Sequence, residues 1–234
     1  LAAHSETVEK RDDLTLEYIT LLNLTGDYEN ALERITHRKF HPWEGGEGKV
    51  PEQYIFSCLA CGTPENAFTY PETLGEGKLY GAQENRQNYY MGIKTGDASY
   101  FEKASTGLSE PASAMYYNDQ PPETIFYQGM ALLRLGRKDE ATARFDNLIR
   151  YADAHIHDEI RIDYFAVSLP DLLVFDEDLN VKNRLHCLFM KALGLYGKGE
   201  KEESKALLEE ALSLNPNHFQ IATHYHLIFK EKKL

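Results

Sequence analysis

Apolar residues recur at three- and four-residue steps along most of the chain, in paired runs separated by glycine-containing turns. The clearest pair spans residues 183–218. In its first half Leu185, Leu188, Phe189, Ala192 and Tyr196 share one helical face. Gly197-Lys198-Gly199 then predicts a break, because glycine reaches φ > 0 without a steric penalty. Ser204, Leu207, Leu208, Ala211 and Leu212 form a second face. Asn215-Pro216 ends it, since the residue before proline is pushed out of the helical region. Small residues at Ala192, Ser204 and Ala211 predict that the two helices approach closely.

The same reading extends along the chain. Residues 4–24 predict one helix, apolar at Val8, Leu14, Tyr18, Ile19, Leu21 and Leu22 and wet at Arg11, Asp12 and Asp13. Thr25-Gly26-Asp27 turns it into a partner over 28–39 carrying Tyr28, Ala31 and Ile35, with Pro42 near its stop. An irregular stretch follows over 41–50, then a helix over 52–60 with Pro51 suited to its first turn. Residues 65–81 read as irregular, and short helices are expected at 83–94 and 98–106. A connector rich in Gly, Pro, Ser and Asn covers 107–121. A second clear pair spans 122–152, followed by a helix near 157–168, a short one opening at Pro170, and a last helix over 218–231.

Particular residues in these pairs resemble a known unit. Gly129, Leu132, Gly136, Ala141, Phe145 and Leu148 in one pair, and Ala192, Leu195, Gly199, Ser204, Leu208, Ala211 and Pro216 in the other, follow the order and spacing of the tetratricopeptide repeat, a unit of about 34 residues. The resemblance implies an all-α fold of α/α helical hairpins stacked as a solenoid or superhelix with glycine-rich inter-helix loops. It implies a single domain over 1–234, with repeats at about 14–42, 122–152 and 183–218, an irregular region at 41–106 and a capping helix at 218–231. A wider resemblance is carried by RKFHPWEGGEGKV, YPETLGEGKL, YYNDQPPETIFYQGMAL and DYFAVSLPDLLVFDEDL. It is to the C-terminal region of large bacterial proteins in which a β-rich domain of uncharacterised function precedes such repeats. It implies an accessory helical region of a bigger protein, associated with carbohydrate metabolism. The start at Leu1 rather than Met fits a fragment cut at a domain boundary.

Charge and composition narrow the partners. A net charge of -12 with no basic stripe sets aside nucleic acid and acidic membrane surfaces. No apolar run approaches the roughly 18 residues of a membrane span. Three cysteines at irregular spacing suit a reducing compartment, so a cytoplasmic location is expected.

The candidate chemistry outside the repeats is an internal echo. Residues 42–49 and 71–78 share P-x-x-x-G-E-G-K. If both loops sit at one end of consecutive repeats, Glu44, Glu47, Lys49, Glu76 and Lys78 line one edge beside Trp43, a fitting place for a sugar, a polar ligand or a partner. A phosphate-binding G-x-x-x-x-G-K-[ST] loop is excluded, because Trp43 and Glu72 stand where its first glycine belongs. Cys58 and Cys61 form a lone C-x-x-C and read as small helix thiols rather than a zinc or redox pair. His155 and Glu159 share a helix face but are too few to hold a metal. A concave face drawn from the first helix of each pair offers Tyr127, Gln128, Arg134 and Lys191. These readings converge on a non-catalytic scaffold without cofactor or metal, contacting an upstream domain or another protein. The alternative is an accessory domain whose G-E-G-K loops complete a carbohydrate-binding or carbohydrate-processing site. A closed α/α toroid with its own hydrolase or lyase site fits the repeat pattern less well.

Overall fold

The computed structural model describes residues 2–41, 49–69, 84–113, 121–161 and 178–230. The described residues are helical throughout their regular elements, with no strand among them, and neighbouring helices pack as consecutive pairs. The chain divides into two compact units, Leu1–Gly96 with Ala222–Leu234, and Asp97–Ile221.

The first unit begins with α1 (Ser5–Glu9), α2 (Asp12–Thr25) and α3 (Tyr28–His37). The single helix expected over 4–24 is therefore two. Arg11 is extended, at φ -127° and ψ 128°, and Asp12 and Asp13 open α2, where carboxylates are favoured by the positive end of the helix dipole. Gly26, at φ 89°, ends α2 as expected. α4 (Lys49–Ala60) and α5 (Asn85–Thr95) follow, with a 3-10 turn at Pro64–Phe68 between them. α2 is tied to α4 through a buried polar network. Asn23 Nδ2 donates to Gln53 Oε1 at 2.8 Å, and Ser57 Oγ donates to Asn23 Oδ1 at 2.9 Å. At the other end of α2, Asp12 accepts from Arg38 Nε at 2.8 Å and from the His41 amide at 2.9 Å. Burial alone would raise the Asp12 carboxyl, but these bonds outweigh it and hold the group below the usual aspartate range.

The second unit opens with α6 (Ala98–Ala104). Its body is two hairpins, α7 (Pro122–Arg134) with α8 (Lys138–His155) and α9 (Leu179–Lys198) with α10 (Lys201–Leu214). α8 packs against α9, so the hairpins share one core. Phe145 lies at its centre, 1% exposed. A β-carbon on Gly129 of α7 or Gly197 of α9 would stand 2.4 Å or 2.3 Å from Phe145 Cε1. Gly197 is thus inside α9 rather than in the turn. The helix runs on to Lys198, and Gly199 alone takes the left-handed conformation, at φ 92°. The predicted small-residue contact is also present: Ser204 Oγ donates to the Ala192 carbonyl at 2.7 Å in the core.

After α8 the described part of the helix expected near 157–168 is not helical. Residues 157–161 are non-helical, and the Ile160 N–H is taken by Asn180 Oδ1 at 2.9 Å instead of by its own turn. The rest of that expectation, and the short helix at Pro170, lie outside the described residues. The last elements are α11 (Phe219–Tyr225) and a π-turn at His226–Lys230, in place of one continuous helix.

Candidate functional site

Besides the buried Asn23–Gln53–Ser57 network, a groove in the first unit and a cluster in the second gather polar side chains. In the first unit an open groove of about 390 Å³ is lined by Val8, Glu9, Thr15, Asn30, Glu33, Arg34, His37 and Arg38. Its cations are already engaged. Arg38 binds Asp12, while Arg34 stacks over the Tyr18 ring at 4.8 Å and reaches Glu9 at 4.0 Å. The charges in the groove therefore balance one another.

In the second unit side chains from three helices converge on one non-helical stretch of chain. Gln128 Nε2 on α7 donates to the Leu108 carbonyl at 2.7 Å. Asn147 Nδ2 on α8 donates to the Ser109 carbonyl at 3.0 Å. His186 Nε2 on α9 is 2.8 Å from the Ala112 carbonyl. A carbonyl only accepts, so His186 carries its proton on Nε2 here.

The two amides are oriented by arginines. Arg144 Nε donates to Gln128 Oε1 at 3.2 Å, and Arg150 Nη2 donates to Asn147 Oδ1 at 2.7 Å. A guanidinium has no acceptor, so each amide must turn its oxygen to the arginine and its NH₂ to the chain it holds. Gln128 is fully buried, which makes both of its bonds obligatory.

The held segment contributes little side-chain burial. Leu108 is 72% exposed, Glu110 is exposed, and 111–113 are half-buried. Three hydrogen bonds at a net of about 1 kcal/mol each tie its main chain to the hairpins, set against about 1–2 kcal/mol per residue of ordering cost. The attachment is local and weak beside the core. Two of the three donors are neutral amides and the third is an imidazole, and among the described residues no group of three or more His, Cys, Asp or Glu could hold a metal ion.

A further histidine lies behind His186. His218 has its Nδ1 enclosed without a hydrogen-bond partner. Burial, with His186 and Lys182 nearby, pushes its imidazole down to about 4. It stays neutral at ordinary pH, which keeps an uncompensated charge away from the Ala112 contact.

The sequence-predicted residues fall as follows. Trp43, Glu44, Glu47, Glu76 and Lys78 lie outside the described residues, and Lys49 opens α4, exposed. Of the concave-face set, Tyr127 is 1% exposed against Phe126, and Gln128 is buried in the contact above. Arg134 is exposed on the last turn of α7, and Lys191 is paired with Asp153 at 2.7 Å. Asn147 and His186 were not singled out from sequence. The available signal was the Arg144-x-x-Asn147-x-x-Arg150 spacing, which sets an amide between two guanidiniums on one helix.

The profile of the family described as "Tetratricopeptide repeat" matches residues 123–153, the whole of the α7–α8 hairpin but for its ends. The hairpin is tetratricopeptide-like. The α9–α10 hairpin repeats its helix–turn–helix form and packs against it through α8 and α9, so the second unit stacks two tetratricopeptide-like pairs. No solved structure matches the chain. No helix among the described residues is long and apolar enough to cross a membrane.

Proposed function

We propose that the chain is a non-catalytic helical-repeat scaffold that makes protein–protein or inter-domain contacts as part of a larger bacterial protein in the cytoplasm. The observation that carries this reading is the set Gln128, Asn147 and His186, which grips chain by its main-chain carbonyls. Tetratricopeptide-like pairs supply the rigid frame such recognition needs. The partner is an upstream domain of the same protein or a separate polypeptide. Cross-linking of the native protein in its own cells with a lysine-reactive reagent tests this. Links from Lys182, Lys191 or Lys198 to another domain or polypeptide are expected. Recovery of links confined within this chain overturns the reading.

A second reading rests on the repeated P-x-x-x-G-E-G-K sequence. The two loops, with Trp43, Glu47 and Glu76, complete a carbohydrate site of the larger protein. Under it Trp43→Ala and Glu47→Gln abolish that protein's activity without unfolding it; under the scaffold reading both leave the activity nearly intact.

A further inference from the structure

We propose that residues 108–112 are an internal stand-in for a partner, and that Gln128, Asn147 and His186 form a docking site for a non-helical polypeptide segment, closed in cis by this stretch. The proposal rests on the scaffold reading and names the partner's chemistry: a main chain presenting two successive carbonyls and a third three residues on.

Three features support it. First, the donors are prepared from behind. Arg144 and Arg150 hold the two amides with their NH₂ groups facing the segment, so the site keeps its orientation whether or not the segment is seated. Second, the three side-chain bonds go to main-chain oxygens at positions 108, 109 and 112, and the Leu108 side chain is largely exposed. The site therefore reads backbone, which any polypeptide supplies. Third, the segment joins α6 to α7 through a connector without regular structure at 106–113, so its release breaks no helix.

The unpaired cost of release is specific. Gln128 is buried, and its NH₂ loses its acceptor when the segment leaves. An empty site is disfavoured, and exchange of one set of carbonyl acceptors for another is favoured over simple opening. A tethered occupant competes at an effective concentration in the millimolar range, so a partner segment displaces it only at comparable concentration or when tethered by contacts elsewhere.

Electron paramagnetic resonance tests the exchange on the whole chain. A nitroxide is attached at the half-buried Ala112→Cys in a Cys61→Ser background, leaving the buried Cys58 and Cys187 in place. The expected spectrum is dominated by an immobile component. Adding the free heptapeptide Gly-Leu-Ser-Glu-Pro-Ala-Ser should convert it to a mobile one, with half-conversion at millimolar peptide, and a scrambled heptapeptide should do so within about threefold of the same concentration. Asn147→Asp, which keeps the shape but removes the donor, should be mobile from the start and unresponsive. A wild-type signal that is already mobile, or one unchanged at about 10 mM peptide, overturns the proposal. Displacement by the native peptide alone overturns its main-chain basis. Cross-links to a partner in cells alongside a flat titration would leave the scaffold standing and remove this site.

Discussion

The ring of Phe145 occupies the place a β-carbon on Gly197 would take, 2.3 Å from that position at Cε1. Gly129 meets the same ring from α7, at 2.4 Å. One aromatic side chain on α8 thus sets the closeness of the helices on either side of it.

Gly197→Ala tests this contact. Alanine gains about 1 kcal/mol of helix propensity, but overpacking a closed core costs about 1–3 kcal/mol. The ring cannot swing away, because it is 1% exposed. Net destabilisation is expected, read as a lower Tm, and Phe145→Leu added to Gly197→Ala should recover part of it. A Tm that rises with alanine shows that the ring can move.

Asn23 is the hinge of the polar network between α2 and α4. Asn23→Ala leaves Gln53 Oε1 without its donor and Ser57 Oγ without one of its acceptors, both in the core. The expected loss is about 1–3 kcal/mol in urea unfolding, with an unchanged m-value. A loss under about 0.5 kcal/mol would mean the network adds no stability.

His218 makes the protein sensitive to acid. Its folded pKa of about 4 lies below the 6.5 of an unfolded histidine. Its contribution is therefore full above pH 6.5 and is lost as pH falls toward 4, where the unfolded chain binds the extra proton. The difference corresponds to an upper bound of about 3 kcal/mol. Melting followed from pH 7 to pH 4 should show a steeper Tm decline for the wild type than for His218→Leu. Parallel curves would place the acid sensitivity elsewhere.

The three thiols should separate by reactivity. Burial pushes Cys58 up to about 12 and Cys187 up to about 11, and both are fully buried. Cys61, just beyond α4, is half-buried. An aromatic disulfide reagent at pH 8 should titrate one thiol quickly in the native chain and all three in denaturant, with Cys61→Ser abolishing the fast phase. A fast phase of two thiols would revive a reactive Cys58-x-x-Cys61 pair.

The helical pairs were legible because periodicity and turn residues are local signals. Ala192, Ser204 and Ala211 announced the α9–α10 contact from their size alone. Gly197 reads as a breaker because glycine gives the same signal for a turn and for a close approach, and only the position of Phe145 tells them apart. The break at Arg11 was hidden by an apolar pattern that continues across it, while Asp12 and Asp13 marked the new start. The Arg144-x-x-Asn147-x-x-Arg150 spacing marks an amide set between guanidiniums but not what it holds, and His186 carries no local signal, since the partners lie 38 and 74 residues away. The G-E-G-K edge is a pattern of the sequence outside the described residues, save Lys49.

Every amino acid carries the carbonyl that Gln128, Asn147 and His186 hold. Side chains along 108–112 can consequently drift over generations with little penalty to the attachment, while an exchange of either amide for a residue unable to donate is felt at once. The record of selection at this surface should be written in the holders and not in the segment held.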